Sequence, residues 1–247
     1  MKTYLKLLAI IEAIARLGPI TPRDLLQEVT MPRSTLQSIL KDLVDRQWIV
    51  RTTSGYVIGS QAGRIGGAYL VHADLRSLAR PELTRLAQRW GLTAHLGVMV
   101  ANQQEVIYVD KVSGGGPGLT SYVGKTVPMH STALGKVLFG YLPIEVQNRV
   151  IAATRWEAKT PNTLRNREAL MDEVRRLHIE GVAWDREENE VGVRCIAAPI
   201  RDFRNVVVAA LSLSGDSVAV ADNAMAMAAS LKSACDTISA ALGWIGK

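Results

Sequence analysis

The chain has 247 residues, 48% of them hydrophobic and 21% charged, a composition that excludes a disordered chain and supplies core for two modest domains or one large one. No apolar run spans a bilayer, and the first residues lead straight into a periodic segment carrying Glu12 and Arg16 instead of a signal sequence, so a cytoplasmic protein without membrane contact is expected. The net charge of +6 is uneven: residues 1–90 hold 13 Lys/Arg against 7 Asp/Glu, and residues 91–247 hold 16 of each, which places a candidate phosphate-binding module in the N-terminal third.

Leu7, Ile10, Ile11, Ile14 and Leu17 recur at helical spacing until Gly18-Pro19 stops the run. Thr21-Pro22 opens a second helix, with Thr21 as cap, Pro22 in the first turn and Asp24 at the positive end of the dipole. Pro32 starts a third. There Leu36, Ile39, Leu40 and Leu43 form one stripe, while Ser34, Gln37, Ser38 and Lys41 form another on the opposite side. Short hydroxyls, one amide and one cation suit the edges and phosphates of a major groove. Gln37 is the candidate base contact; Arg33, Ser34, Thr35, Ser38 and Lys41 complete the candidate DNA-binding set. Two β-rich runs flank a turn, Trp48–Arg51 and Tyr56–Ile58, and predict a hairpin, with Arg51 placed for the DNA backbone. Three helices and a hairpin make a winged helix-turn-helix. A helical protein-interaction domain is the rival reading of the same pattern.

Residues 60–78, rich in small side chains, are expected to form a linking helix, and Pro81 is expected to start the next helix, which Gly91 ends. The domains are thus 1–59 (DNA-binding), 60–78 (linker) and 79–247. In the last, strand-like runs at Ala94–Val100, Glu105–Val112, Cys195–Ile200 and Val206–Leu213 alternate with helical patterns near Ser131–Gly140, Arg167–His178 and Ser217–Leu242, predicting an α+β fold on an antiparallel sheet. Two cysteines without paired spacing and four scattered histidines predict neither disulfide nor metal site, and no cofactor.

Val127–Leu138, reading VPMHSTALGKVL, resembles the "VPLHATALGKALL" segment of IclR-type regulators. Asp185–Ile200, reading DREENEVGVRCIAAPI, is similar to their "DxEExxxGVxCIAAPV" segment, and Val207–Gly215 to their "AALSVSG" strand. These segments fall in the family's order behind the winged helix and cover nearly the whole chain. The resemblance implies a GAF-like effector-binding and oligomerisation domain, a homodimer or homotetramer, operator DNA as partner, and repression of a neighbouring catabolic operon under a small organic or aromatic acid. It also implies an effector site at Ala133, Leu134, Asp185, Cys195, Ser212 and Ser214. Those residue types fit the role: a helix opening at Ala133 offers free N–H groups to a polar oxygen, and Ser212 and Ser214 share one face of a strand. Some acid-sensing members have glycine where this chain has Ala133, and bulkier Leu134 follows; less room near the ligand head is expected.

The alternative is a cysteine- or serine-dependent hydrolase with an appended basic domain, using Cys195 with a spatial partner such as His130. Ser212 and Ser214 lack a GxSxG context, and Gly124-Lys125-Thr126 lacks the first glycine of a P-loop. The acidic cluster Asp185, Glu187, Glu188 and Glu190 is expected to be a solvated turn, with a metal site as the alternative. The glycine-rich Ser113–Gly118 segment is expected to be a hairpin turn or a movable loop at a pocket mouth.

Overall fold

The first apolar repeat folds into α1 (Thr3–Leu17), which buries Ile10, Ala13 and Ile14 against α2 (Pro22–Glu28) and α3 (Arg33–Asp45). The structure is a computed structural model that describes residues 3–69, 73–115 and 119–246, and it divides into two compact units, one up to Ala73 and one from Asp74. Thr21 caps α2, its Oγ1 accepting from Asp24 N at 3.3 Å, and Pro22 occupies the first turn. Leu36, Leu40 and Leu43 of α3 close the core with Leu25, Val29 and Ile49. The wing is β1 (Ile49–Thr52) paired with β2 (Gly55–Ile58) from Ile49↔Ile58 to Thr52↔Gly55. Ile20 bridges Tyr56 as a third edge. Gly55 is required there: its φ is +140°, and an added Cβ would stand 2.6 Å from Ile20 O.

Next come α4 (Ser60–Tyr69) and α5 (Ala73–Trp90). Residues 70–72 of the expected linking helix, and Gly116, Pro117 and Gly118 of the glycine-rich segment, lie outside the described residues. Pro81 sits inside α5 and not at its start. The buried face explains this: Ala79, Leu83, Leu86 and Ala87 are all fully buried on both sides of the proline, and that packing offsets the one backbone bond that proline cannot make.

The second unit is a six-stranded antiparallel sheet, as expected for an α+β fold. Its strands are β3 (Thr93–Met99), β4 (Glu105–Ser113), β5 (Thr126–Pro128), β6 (Ala183–Arg186), β7 (Val193–Arg201) and β8 (Val207–Asp216), in the order β5-β4-β3-β8-β7-β6. The helices are α6 (Ala133–Gly140), α7 (Ile144–Ala153), α8 (Arg167–Glu180), α9 (Ser217–Asp222) and α10 (Ala224–Ala241); the expected helix over Ser217–Leu242 is interrupted at Asn223. Strand alternation divides the sheet. Leu96, Ile196, Leu211 and Leu213 pack with Leu83 and Leu86 of α5 and Leu231 and Ile238 of α10. Ala183, Ala197 and Ala210 face the other way, toward Ala133, Leu134, Val137 and Leu138 of α6. Small residues on that face let α6 lie close to the sheet.

Candidate functional site

Two candidate sites emerge, one in each unit. In the first, the α3 stripes separate as expected: Leu36, Leu40 and Leu43 are buried, whereas Ser34, Gln37, Ser38 and Lys41 are exposed. Arg33 at the head of α3 and Arg51 on β1 are also exposed, and Thr35 is half-buried. The helix N-terminus at Arg33 has no side-chain cap, so its first N–H groups are free for an acceptor such as a phosphate oxygen.

In the second unit the register of the sheet assembles the site. Asp185 lies opposite Cys195, Cys195 opposite Ser214, and Ser214 opposite Thr93. Two residues along, Ala183, Ala197, Ser212, His95 and Lys111 form the next row. Over these rows lies the start of α6, where Thr132 accepts from Gly135 N at 3.2 Å and donates to Pro128 O at 2.8 Å. The gap between is a narrow cavity of about 520 Å³ of empty space, counting the part open to solvent. Ala133, Leu134, Asp185, Cys195, Ser212 and Ser214 all line it. His95, Tyr108, Ser121, Lys125, Asn189 and Glu190 also line it, and sequence reasoning placed none of these in the effector site. Leu134 spends part of its bulk in the notch at Gly97, where an added Cβ would meet its Cδ1 at 3.0 Å.

His95 is 2% exposed. Its Nε2 is 2.8 Å from Ser121 Oγ, its Nδ1 is 3.5 Å from Ser214 Oγ, and the ring stacks on Tyr108 with centroids 4.5 Å apart. Burial, reinforced by Lys111 and Lys125, pushes its pKa down to about 3, so the imidazole is neutral. Burial likewise raises the Tyr108 hydroxyl, with Cys195, Asp185 and Glu190 adding to the effect. Asp185 is pushed up to about 7, first by burial; the N–H of Glu188, donating to its Oδ1 at 2.7 Å, opposes this. The Cys195 thiol is raised well above its ordinary value by burial and by Asp185.

The acidic cluster is only in part the solvated turn that its composition predicts: Glu190 is exposed and Glu187 partly exposed, but the other two carboxylates are interior. Asp185 and Glu188 are only 2% and 3% exposed. Lys136 of α6, fully buried, places Nζ 2.6 Å from the Glu188 carboxylate and donates to Trp184 O at 2.6 Å. Thr160 and Thr163 donate to the carbonyls of Glu187 and Glu188, each at 2.6 Å. Glu187 accepts from Ser217 and Gly192 N. A paired lysine thus holds the segment that presents Asp185, Asn189 and Glu190 to the cavity. Among the described residues, no group of His, Cys, Asp or Glu is arranged to hold a metal ion.

Asp185 gives a pH prediction. Its folded-state pKa lies above the ordinary carboxylate value, so the folded state holds the proton more tightly, and the group lowers stability as pH rises from about 4 to about 7. Asparagine keeps the Oδ1 acceptor for Glu188 N. Asp185→Asn is therefore expected to raise the urea midpoint more at pH 8 than at pH 5; an equal change at both pH values would refute the assignment.

The hydrolase alternative loses the pairing of Cys195 with His130 that it was built on. His130 does not line the cavity; its Nε2 is 3.4 Å from Glu157 O and its ring meets Trp156 edge-on. Cys195 faces a cavity whose one imidazole is held neutral, and burial keeps its thiol protonated.

Comparison with known proteins gives the same answer. Residues 67–240 match the family described as bacterial transcriptional regulator IclR C-terminal, and residues 8–56 match the MarR family. The HTH-type transcriptional regulator XynR of Escherichia coli (strain K12) is 36% identical over 77% of this chain and 76% of its own. The crystal structure of the Thermotoga maritima IclR covers 98% of this chain and 99% of its own, with a TM-score of 0.80 and 27% identity. An IclR homolog from Microbacterium hydrocarbonoxydans, complexed with 4-hydroxybenzoate, shares the fold at a TM-score of 0.81 and 23% identity, covering 97% and 99%. The family is one of regulators and not of enzymes. The chain belongs to the IclR family of bacterial transcriptional regulators.

Proposed function

We propose that this chain is a cytoplasmic repressor of a neighbouring catabolic operon, released from its operator by a small organic acid bound in the cavity of the second unit. Residues 1–59 bind DNA, residues 60–78 link, and residues 79–247 bind effector and join copies into a homodimer or homotetramer. A symmetric pair sets two α3 helices in successive major grooves of a palindromic site. Gln37 reads a base edge, while Arg33, Ser34, Thr35, Ser38, Lys41 and Arg51 hold the backbone.

The observation that carries the effector reading is the convergence of Ala133, Leu134, Asp185, Cys195, Ser212 and Ser214 on one cavity. The N–H groups at the start of α6 and the two serine hydroxyls supply donors for a carboxylate or hydroxyl. The 4-hydroxybenzoate held by the Microbacterium homolog supports a small acid here. A coupling of about 1–3 kcal/mol between ligand and operator changes DNA affinity roughly 5–150-fold.

The test is a thermal-shift screen of the purified chain against organic acids and aromatic metabolites, followed by a gel shift with each hit. Ser212→Ala/Ser214→Ala is expected to abolish the response while leaving DNA binding intact; an unchanged response removes the cavity from consideration.

A further inference from the structure

Among the described residues every arginine is exposed except Arg186, Arg194 and Arg201, which are half-buried. Arg186 faces Glu173 at 3.2 Å, and Arg194 faces Glu187 at 3.9 Å. Arg201, the last residue of β7, is paired with no carboxylate among the described residues. Drawing a cation part-way out of water without an anion beside it is costly, and the surroundings of Arg201 show what could offset that cost.

Arg201, Asn205, Tyr141 and Trp244 line a second cavity, with about 700 Å³ of empty space counting the part open to solvent. Tyr141 follows the last turn of α6, whereas Ala133 and Leu134 of the first turn line the effector cavity. The two cavities share no lining residue. The Arg201 guanidinium lies over the Tyr141 ring, 4.5 Å from its centroid, and donates Nη1 to Asn205 O at 3.2 Å. Stacking and one hydrogen bond set the plane of the fork and leave most of its five N–H groups for an acceptor.

The turn between β7 and β8 places a second donor. Asp202 holds that turn, its Oδ1 accepting from Arg204 N at 2.9 Å and Val206 N at 3.1 Å. Asn205 Oδ1 accepts from Trp244 Nε1 at 3.0 Å, which anchors the indole as a wall and leaves the Asn205 amide Nδ2 as a donor. Side-chain donors between two aromatic rings suit an anion on a flat apolar body. No second cation lines the cavity, which favours a singly charged carboxylate over a phosphate.

We propose that this cavity is a second small-molecule site, separate from the effector cavity, and that it takes a carboxylate carried on a flat unsaturated ring. Arg201 and Asn205 hold the carboxylate, and the ring lies against Trp244.

The test uses the full chain labelled with fluorotryptophan and read by fluorine NMR, the Trp244 signal being the one lost in Trp244→Phe. The probes are benzoate and naphthoate, with naphthalenemethanol as the uncharged counterpart and cyclohexanecarboxylate as the puckered one. At least one of the two flat acids is expected to shift the Trp244 signal saturably, and to bind about 10-fold or more tightly than the uncharged or puckered probe. Arg201→Gln should weaken that acid about 10-fold or more, and Arg201→Lys, which keeps the charge but not the fork, should retain part of the binding. Ser212→Ala/Ser214→Ala should leave the shift unchanged, because those serines line the other cavity. The proposal is overturned if neither flat acid moves the Trp244 signal, if naphthalenemethanol or cyclohexanecarboxylate binds as well, if a folded Arg201→Gln binds undiminished, or if the double serine variant loses the shift. Should Arg201→Gln fail to fold, the wild-type comparison of acid with alcohol still decides.

Discussion

Lys136→Met is expected to cost about 3–5 kcal/mol of unfolding free energy, the typical loss when one partner of a buried ion pair is removed. The ammonium is fully buried and 2.6 Å from a carboxylate that is itself almost fully buried. Methionine fills the volume but leaves Glu188 charged and unpaired, and frees the carbonyl of Trp184. Burial already pushes the Glu188 carboxyl upward, and without the lysine the cheapest escape is to take up a proton. The loss should therefore shrink as pH falls. Lys136→Met/Glu188→Gln removes both charges and should recover much of the stability. Urea denaturation at pH 8 and pH 5 checks each statement, and a single variant within 1 kcal/mol of wild type at pH 8 would contradict the pairing. Function should fail with stability, because the same pair holds the segment carrying Asp185 and Asn189.

Gly135→Ala is the second large effect, and two forces oppose each other in it. Alanine is favoured over glycine inside a helix by about 1 kcal/mol, so propensity alone predicts a gain. Position 135, however, faces backbone: an added Cβ would stand 2.2 Å from Met129 O and 2.5 Å from Met129 Cα. Neither atom belongs to a flexible side chain that can swing away, so α6 or the segment before it must move. Overpacking of this kind costs about 1–3 kcal/mol and occasionally more, which outweighs the propensity. A net loss of about 2 kcal/mol is expected by denaturant melting, together with a weakened ligand response, since Ala133 and Leu134 move with the helix. Gly63→Ala in α4 is the control, because an added Cβ there meets nothing within 4 Å; it should be neutral or gain up to about 1 kcal/mol. Equal behaviour of the two variants would show that contact at Met129 does not decide the outcome.

Local rules carried the first unit. Its caps, its proline starts and the two stripes of α3 are short-range features, and the hairpin follows from a turn between two β-rich runs. The second unit was legible where a single face dominates, as in β8 and α8. It was less so where packing overrides local preference. Pro81 reads as a helix start, yet lies inside α5 because buried positions flank it on both sides. The strands β5 and β6 are three and four residues long, too short for alternation to register, and each exists because a longer neighbour pairs with it.

The cavity shows the same division. Its six expected residues came from segments resembling a family, not from any pattern of their own. His95 carried a faint signal, since it alternates with the apolar Ala94 and Leu96 along β3, but alternation alone assigns such a residue to solvent. Only the second layer, α6 laid over the sheet, makes that face an interior. The acidic cluster was misread in part for a related reason: Glu188 is buried because Lys136, 52 positions earlier in the chain, reaches it, and periodicity within one segment does not reveal such a pair.

The most direct test of the central claim is the affinity of the full chain for its own upstream DNA and for a scrambled duplex of equal length, measured across a range of salt. The account predicts a clear preference for the upstream sequence at moderate salt. Gln37→Ala should erode that preference, by about 1–3 kcal/mol at one base step, while Lys41→Ala weakens both duplexes alike and lowers the salt slope by about one unit. Equal affinity of the wild-type chain for both duplexes, or identical losses for the two variants on each, would contradict the assignment of α3 as the helix that reads DNA.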